Sequence, residues 1–377
     1  MRRPDSSLLR PELAALAPYN AGLTLAEVAA RPGVTRVAKL GSNENPDGAS
    51  AYAVAAVAQA ASGIGQYPDP AGRDLIASLA RHHGLEEAQF ALGNGSEDLL
   101  AVLARAVLRP GDKVVTLYPS FPLHEDYAQL MGAEVVRVGL TPEGKIDLAA
   151  LCAAVAEPVR LVLFANPMNP AGLWLDHAAL QSVLDAVHPA AITCLDEAYH
   201  EYASQPEPGG YASGEPWLSH SKPMVILRTF SKAWGLAGLR IGYAMTNDPE
   251  IKRGLDLART PFNTNLLAQV AATAALADLP SMAQATALAR EERARLAAGI
   301  AALGLRQLPS RGNFIFFETA HPSGEIAEAL LDHGVIVKPW KQPGYGQWLR
   351  VSTGAPEDRE QFLKALESVL KSRPSAG

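Results

Sequence analysis

This sequence has little cysteine, no excess of basic charge and no long apolar run. Its two cysteines, Cys152 and Cys194, sit among apolar neighbours without CxxC spacing. They read as buried thiols in a reducing compartment, and no metal site is expected. The formal net charge is −6. No basic stripe is present to displace counterions, so a nucleic-acid partner is not expected. No uninterrupted apolar run reaches the roughly 18 residues that span a bilayer. Met1-Arg2-Arg3-Pro4-Asp5 is not followed by an apolar stretch of signal-peptide length. These absences lead to the expectation of a cytoplasmic protein with no membrane partner.

What is there suits a large globular core: 377 residues, 48% hydrophobic and 19% charged. At about 150 residues per domain, two domains are the starting expectation. Residues 1–50 are rich in Pro, Gly and Asn and read as an arm with one short helix over Leu25–Ala30. A helical stretch and a Gly/Pro turn at 65–72 follow. Apolar runs at Lys113–Tyr118, Glu134–Val138, Val159–Ala165, Ala191–Leu195, Met224–Thr229 and Arg240–Met245 read as buried strands, with helices such as Glu97–Leu108 and His177–Val187 between some of them. Strands alternating with helices predict an α/β fold with a mainly parallel sheet. Ligands in such sheets gather at the carboxyl ends of the strands. Beyond about 250 the pattern becomes helical over Leu266–Ala302. It then gives short strands at Phe314–Glu318, Val335–Lys338 and Trp348–Ser352, and a helix at Pro356–Leu370, a smaller α+β unit.

The richest segment is Thr229-Phe230-Ser231-Lys232-Ala233-Trp234-Gly235-Leu236-Ala237-Gly238-Leu239-Arg240. A lysine desolvated near other cations has a lowered pKa and attacks carbonyls. Thr229, Ser231 and Arg240 are donors suited to a phosphate dianion, with Arg240 able to bind it as a fork. A bare Ser-Lys is usually an ordinary loop. The whole segment is not, because its apolar neighbours half-bury the lysine.

Asp196, at the end of a buried strand, is costly unless paired. Opposite a pyridine nitrogen it would keep a ring protonated and electron-withdrawing, with Tyr199 near the ring hydroxyl. Taken alone, it fits a structural carboxylate almost as well. Asn166-Pro167-Met168-Asn169-Pro170-Ala171-Gly172 reads as a rigid turn that offers the Asn169 amide to a ring oxygen. A plain turn is an equal reading. Gly93-Asn94-Gly95-Ser96-Glu97 opens a helix whose free N–H groups suit an anion, with Ser96 as the N-cap. Glu97 and Asp98 would repel that anion unless they turn away. The stretch lacks the third glycine of a dinucleotide fingerprint and has no Walker lysine. Phe121 is placed to stack on a flat ring or to pack in the core.

In this order the segments resemble the class I/II aminotransferases, over roughly residues 18–355. The resemblance implies the aspartate-aminotransferase-like fold type I and pyridoxal 5'-phosphate as cofactor. It implies Lys232, Asp196 and Tyr199 as catalytic residues, with Lys232 bonded to the cofactor. Gly95, Ser96, Glu97, Phe121, Asn169, Thr229, Ser231 and Arg240 would complete the cofactor site. Within the family, Pro18-Tyr19, Asn43-Glu44-Asn45-Pro46, Gln66-Tyr67-Pro68-Asp69, Arg311-Gly312-Asn313-Phe314 and Leu349-Arg350-Val351-Ser352 resemble the histidinol-phosphate aminotransferases.

That resemblance implies substrate contacts from Tyr19, Asn43, Lys338 and Arg350. It also implies a homodimer in which Tyr67 reaches the neighbouring subunit's cofactor phosphate. The expected division is an arm at 1–45, a large domain at 46–255 and a small domain at 256–377. An amino donor and a 2-oxo acid are the expected partners. The sequence departs from the pattern at Lys338, where an arginine is frequent, at His124, where tyrosine is common, at Ala171, and in the long stretch Ser204–His220. Rival readings are an aromatic amino acid aminotransferase, a decarboxylase of phosphothreonine type, and a non-catalytic binding module. The complete set Lys232, Asp196, Tyr199 and Arg240 argues against the last.

Overall fold

A computed structural model describes residues 8–18, 22–204, 206–207 and 209–373. Its strands are β1 (Ala38–Lys39), β2 (Phe90–Gly93), β3 (Lys113–Leu117), β4 (Glu134–Val138), β5 (Leu161–Ala165), β6 (Ile192–Asp196), β7 (Met224–Thr229), β8 (Gly242–Thr246), β9 (Phe314–Glu318), β10 (Val335–Ile336), β11 (Lys338–Pro339) and β12 (Trp348–Ser352). Seven of them form one sheet in the order β2-β8-β7-β6-β5-β3-β4. β8 alone runs against the others, pairing antiparallel with both β2 and β7. The central strands β5, β6 and β7 are buried throughout. That matches their unbroken apolar pattern, since a parallel sheet is covered on both faces. One apolar cluster covers each face.

β9, β11 and β12 form a separate antiparallel sheet. Behind it lies a third apolar cluster that includes Phe317, Phe362, Leu366 and, from the N-terminal segment, Ala38 and Leu40. β1 pairs in parallel with β10, so the N-terminal segment is stitched to the C-terminal unit.

Three expectations change. The run Val335–Lys338 divides at Val337 between two sheets, β10 pairing with β1 and β11 with β12. The long helix over Leu266–Ala302 is two helices, Leu266–Leu276 and Leu279–Ala302, bent by 84°. Asp278 caps the second and Pro280 sits in its first turn, a start signal that breaks the periodicity. Of the cysteines, Cys194 is buried but Cys152 is only half-buried. No single helix among the described residues is long and apolar enough to cross a membrane.

Candidate active site

The sheet's carboxyl edge gathers the predicted residues. Gly95 and Ser96 follow β2, Phe121 follows β3, Asn169 follows β5, Asp196 ends β6, and Lys232 follows β7. Arg240 precedes β8, and because β8 runs the opposite way its start lies at the same edge. The reversal of one strand is what brings residues 229–240 round in a single loop.

Gly95 is the N-cap of the helix Ser96–Val107, at φ 89°. Ser96 is therefore the first helical residue rather than the cap, and its N–H is one of the free donors of the first turn. A Cβ on Gly95 would lie 2.5 Å from Arg240 Nη2, and one on Gly242 2.5 Å from the Ser96 nitrogen. Only glycine lets the chain close this tightly round the donors. Arg240, itself left-handed at φ 58°, donates from Nη1 to Ser231 Oγ at 3.1 Å. The Ser231 N–H donates to Thr229 Oγ1 at 3.1 Å. Of the acidic pair after Ser96, Asp98 is turned aside, while Glu97 Oε2 stays 3.7 Å from Arg240 Nη2. Glu97 accepts from Tyr127 OH at 2.9 Å, and Asp98 accepts from the Asn94 N–H and from Asn263 Nδ2. A helix N-terminus, two hydroxyls and a guanidinium thus converge as a cradle for a phosphate dianion.

Lys232 is half-buried and donates from Nζ to the Ser42 carbonyl at 2.9 Å. Its Nζ lies 5.9 Å from the centre of the Tyr199 ring. Burial, reinforced by the Arg350 and Arg240 charges, lowers its pKa to about 7. Asp196 is buried, and its Oδ2 meets His124 Nε2 at 2.9 Å. His124, not proposed for the site from sequence, is fully buried and lies edge-on to Phe121 at 5.6 Å between ring centres. Tyr199 is buried, and its hydroxyl accepts from Asn43 Nδ2 at 2.8 Å. Asn43 is held in turn by Ser352, whose Oγ donates to Asn43 Oδ1 at 2.7 Å and accepts the Asn43 N–H at 2.9 Å.

Arg350 donates to Asn169 Oδ1 at 2.5 Å and to the Gly41 carbonyl at 2.7 Å. Its guanidinium carbon stands 5.5 Å from the Phe314 ring centre and 5.8 Å from that of Trp340. Lys338 is its direct partner across β11 and β12. Burial, with Arg350 and Lys341, lowers the Lys338 pKa to about 8. Tyr67 stands apart from this group, 82% exposed and stacked on Phe262 at 4.5 Å. Tyr19 lies outside the described residues. In the 204–220 stretch, Glu207 bridges Arg293 and Arg311, at 2.6 Å each.

A lysine of lowered pKa, a phosphate cradle and a buried carboxylate along one sheet edge fit pyridoxal phosphate. Comparison with known proteins agrees. Residues 35–369 match the family model "Aminotransferase class I and II", and the chain belongs to that family. It is a pyridoxal-phosphate-dependent aminotransferase. A curated relative, histidinol-phosphate aminotransferase 1 of Mesorhizobium japonicum, is 51% identical over 97% of this chain and 99% of its own. Histidinol-phosphate aminotransferase 3 of Rhizobium meliloti is 49% identical over 96% of this chain and 97% of its own. Among solved structures, histidinol-phosphate aminotransferase from Sinorhizobium meliloti, in complex with pyridoxal-5'-phosphate, superposes with a TM-score of 0.85 at 30% identity. It covers 98% of this chain and 99% of that one. An L-threonine-O-3-phosphate decarboxylase from Porphyromonas gingivalis, 21% identical at a TM-score of 0.77, shares the fold.

Proposed function

We propose that this aminotransferase moves the amino group of histidinol phosphate to 2-oxoglutarate, a step in histidine biosynthesis. The observation that carries the substrate is the pair Lys338 and Arg350, two cations on directly facing positions of β11 and β12. Arg350 is hydrogen-bonded to Asn169, and Ser352, two residues further along β12, to Asn43. A doubly charged phosphate matches two neighbouring cations better than an apolar ring does. The names and identities of the relatives support the same substrate.

Bound pyridoxal phosphate supplies an aldehyde carbon to carry the amino group and a ring to delocalise carbanion charge. In this reading the chain's own groups do the rest. Gly95, the Ser96 and Glu97 N–H groups, Thr229, Ser231 and Arg240 hold the phosphate. Phe121 would cover one ring face, and Asp196, oriented by His124, would hold a proton on the ring nitrogen. Asn169 and Tyr199 would address the ring oxygen, the Tyr199 hydroxyl being oriented by the bond it accepts from Asn43. Lys232 Nζ, about half neutral at pH 7, would take the proton from the substrate α-carbon and return it two atoms along, on the carbon beyond the amino nitrogen. Tyr19, Asn43, Lys338 and Arg350 hold the substrate.

The working form is a cytoplasmic homodimer with Tyr67 reaching the neighbouring phosphate. Residues 46–255 serve as the large domain, 256–377 as the small one, and 1–45 as an arm joined to the small one.

Phe314 and Trp340 beside Arg350 favour one second reading, transamination of aromatic amino acids. The test is kcat/KM for histidinol phosphate against phenylalanine and tyrosine, with 2-oxoglutarate, in wild type and Lys338→Ala. Histidinol phosphate should win by up to ~10⁴-fold. Lys338→Ala should narrow that ratio by about ten- to a hundredfold, the worth of one charge-assisted contact. If phenylalanine wins and Lys338→Ala leaves the ratio alone, the aromatic reading stands instead.

A further inference from the structure

The loop between β11 and β12 carries a node that the proposed chemistry does not use. A primary amide offers two N–H donors and an oxygen with two lone pairs, and Gln342 fills all four. Its Oε1 accepts the Ser120 N–H at 3.0 Å and Trp340 Nε1 at 2.8 Å. Its Nε2 donates to Ser120 Oγ at 3.1 Å and to Glu125 Oε1 at 3.2 Å. Ser120 and Glu125 are both buried, and Ser120 Oγ donates to Glu125 Oε1 at 2.5 Å. Arg137 pairs with the other Glu125 oxygen, its Nη2 at 2.6 Å. Beside this node Tyr118 OH donates to the Pro343 carbonyl at 2.8 Å.

The two sides of the node lead to the two halves of the site. Ser120 precedes Phe121, and Glu125 follows His124 on the same helix, so one side is the Phe121–His124–Asp196 group. On the other side Trp340 lies against the Arg350 guanidinium, and Lys338 is two residues before it on β11. Tyr345 also packs against Tyr118, Phe316 and Trp348, and the rest of the 341–346 loop is mostly exposed apart from the bonds of Tyr118 and Gln342.

We propose that Gln342 is a positioning residue that locks the strand pair β11–β12 to the helix bearing His124, setting the distance between the substrate's anion site and the ring pocket. This rests on the reading of Lys338 and Arg350 as that anion site. A substrate bound at both ends needs their separation pre-set, and slack between the two weakens its binding. Gln342 contacts no reacting atom. Its loss therefore acts on binding geometry at both ends at once.

The test is a double-mutant cycle in the holoenzyme. Gln342→Glu keeps the shape and both acceptor bonds but loses both donors and sets a carboxylate against Glu125. Glu125→Gln in the same chain restores a donor across the gap. Gln342→Glu should raise KM about tenfold for both the amino donor and 2-oxoglutarate, with kcat within about threefold of wild type. The backbone amides of residues 340–347 should exchange faster with deuterium. The double variant should return KM to within about threefold of Glu125→Gln alone. Gln342→Leu, which removes all four bonds without adding charge, should shift KM the same way. Unchanged KM in both Gln342 variants, or a rise in KM that Glu125→Gln does not reverse, overturns the proposal. A wild type that prefers another amino donor overturns the substrate reading instead. The 2-oxoglutarate and amide-exchange results still decide Gln342.

Discussion

At the scale of single residues, Lys232 shows most directly how position becomes chemistry. An exposed lysine is almost wholly protonated at neutral pH and a poor nucleophile. Burial next to Arg350 and Arg240 brings this one to about 7. Lowering a lysine pKa favours the neutral amine, so its reactive fraction rises with pH through about 7 and levels off above. The rate at which cofactor-free protein captures pyridoxal phosphate, followed by stopped-flow absorbance, should show that midpoint. A midpoint near the ordinary lysine value would mean the site does not desolvate the amine. The cofactor's visible absorption should vanish in Lys232→Ala after dialysis. Asp196→Ala should still bind cofactor but lose ~10²–10⁴-fold in kcat, the usual worth of one such group; near-normal turnover would assign the ring nitrogen another partner. Lys232, Asp196 and Asn169 were legible in the sequence because each follows a buried apolar run, where a polar residue needs a reason. His124 was legible only as a departure. Its bond to Asp196 spans 72 residues, and nothing local in either segment announces the other.

At the scale of elements, the strands Glu134–Val138, Met224–Thr229, Phe314–Glu318 and Trp348–Ser352 match their apolar runs end to end. The reversal of β8 was not legible, because an apolar run carries no direction. Nor was the start of β8 at Gly242: Arg240 is left-handed, a conformation that tight packing round the cradle imposes and composition does not reveal. The long 204–220 stretch stands out for its length, but nothing in its residues announces its purpose. In the structure Glu207 crosses from it to Arg293, on the helix Leu279–Ala302, and to Arg311, which also stacks over Trp174 at 4.6 Å. Arg311 is 2% exposed, so removing the carboxylate leaves two guanidiniums close together with little water. Glu207→Ala should destabilise the protein by about 2–3 kcal/mol in urea unfolding, below the full cost of breaking a wholly buried pair because Glu207 keeps some solvent. Glu207→Gln should recover part of the packing but not the charge. A loss under about 0.5 kcal/mol would mean that the loop rests on its backbone contacts alone.

At the scale of the whole molecule, the candidate site gathers along the sheet edge, and Tyr67 sits outside it. The ring is 82% exposed and, among the described residues, stacks on Phe262, itself 39% exposed and left-handed at φ 55°. Two aromatic rings held face to face at the surface of one chain make a poor use of apolar area unless another surface covers them. Tyr52, Val54 and Ile64, all more than half exposed, lie on the helix and turn that precede Tyr67. A second copy of the chain is the partner proposed for this surface, with the Tyr67 hydroxyl turned to the phosphate cradle of that copy. The consequence is a test that a monomeric site cannot pass. Tyr67→Ala and Lys232→Ala should each cripple a homodimer, one through weak cofactor retention and the other through loss of the amine. In a mixed dimer one site takes its lysine from the first variant and its tyrosine from the second, and is whole. Subunit exchange between the two purified variants should therefore restore up to about one quarter of wild-type activity, half the dimers being mixed and each holding one intact site of two. Exchange must be followed independently, by native mass spectrometry of a tagged and an untagged variant. Mixed dimers that form and stay inactive would place Tyr67 within its own subunit's site or in none.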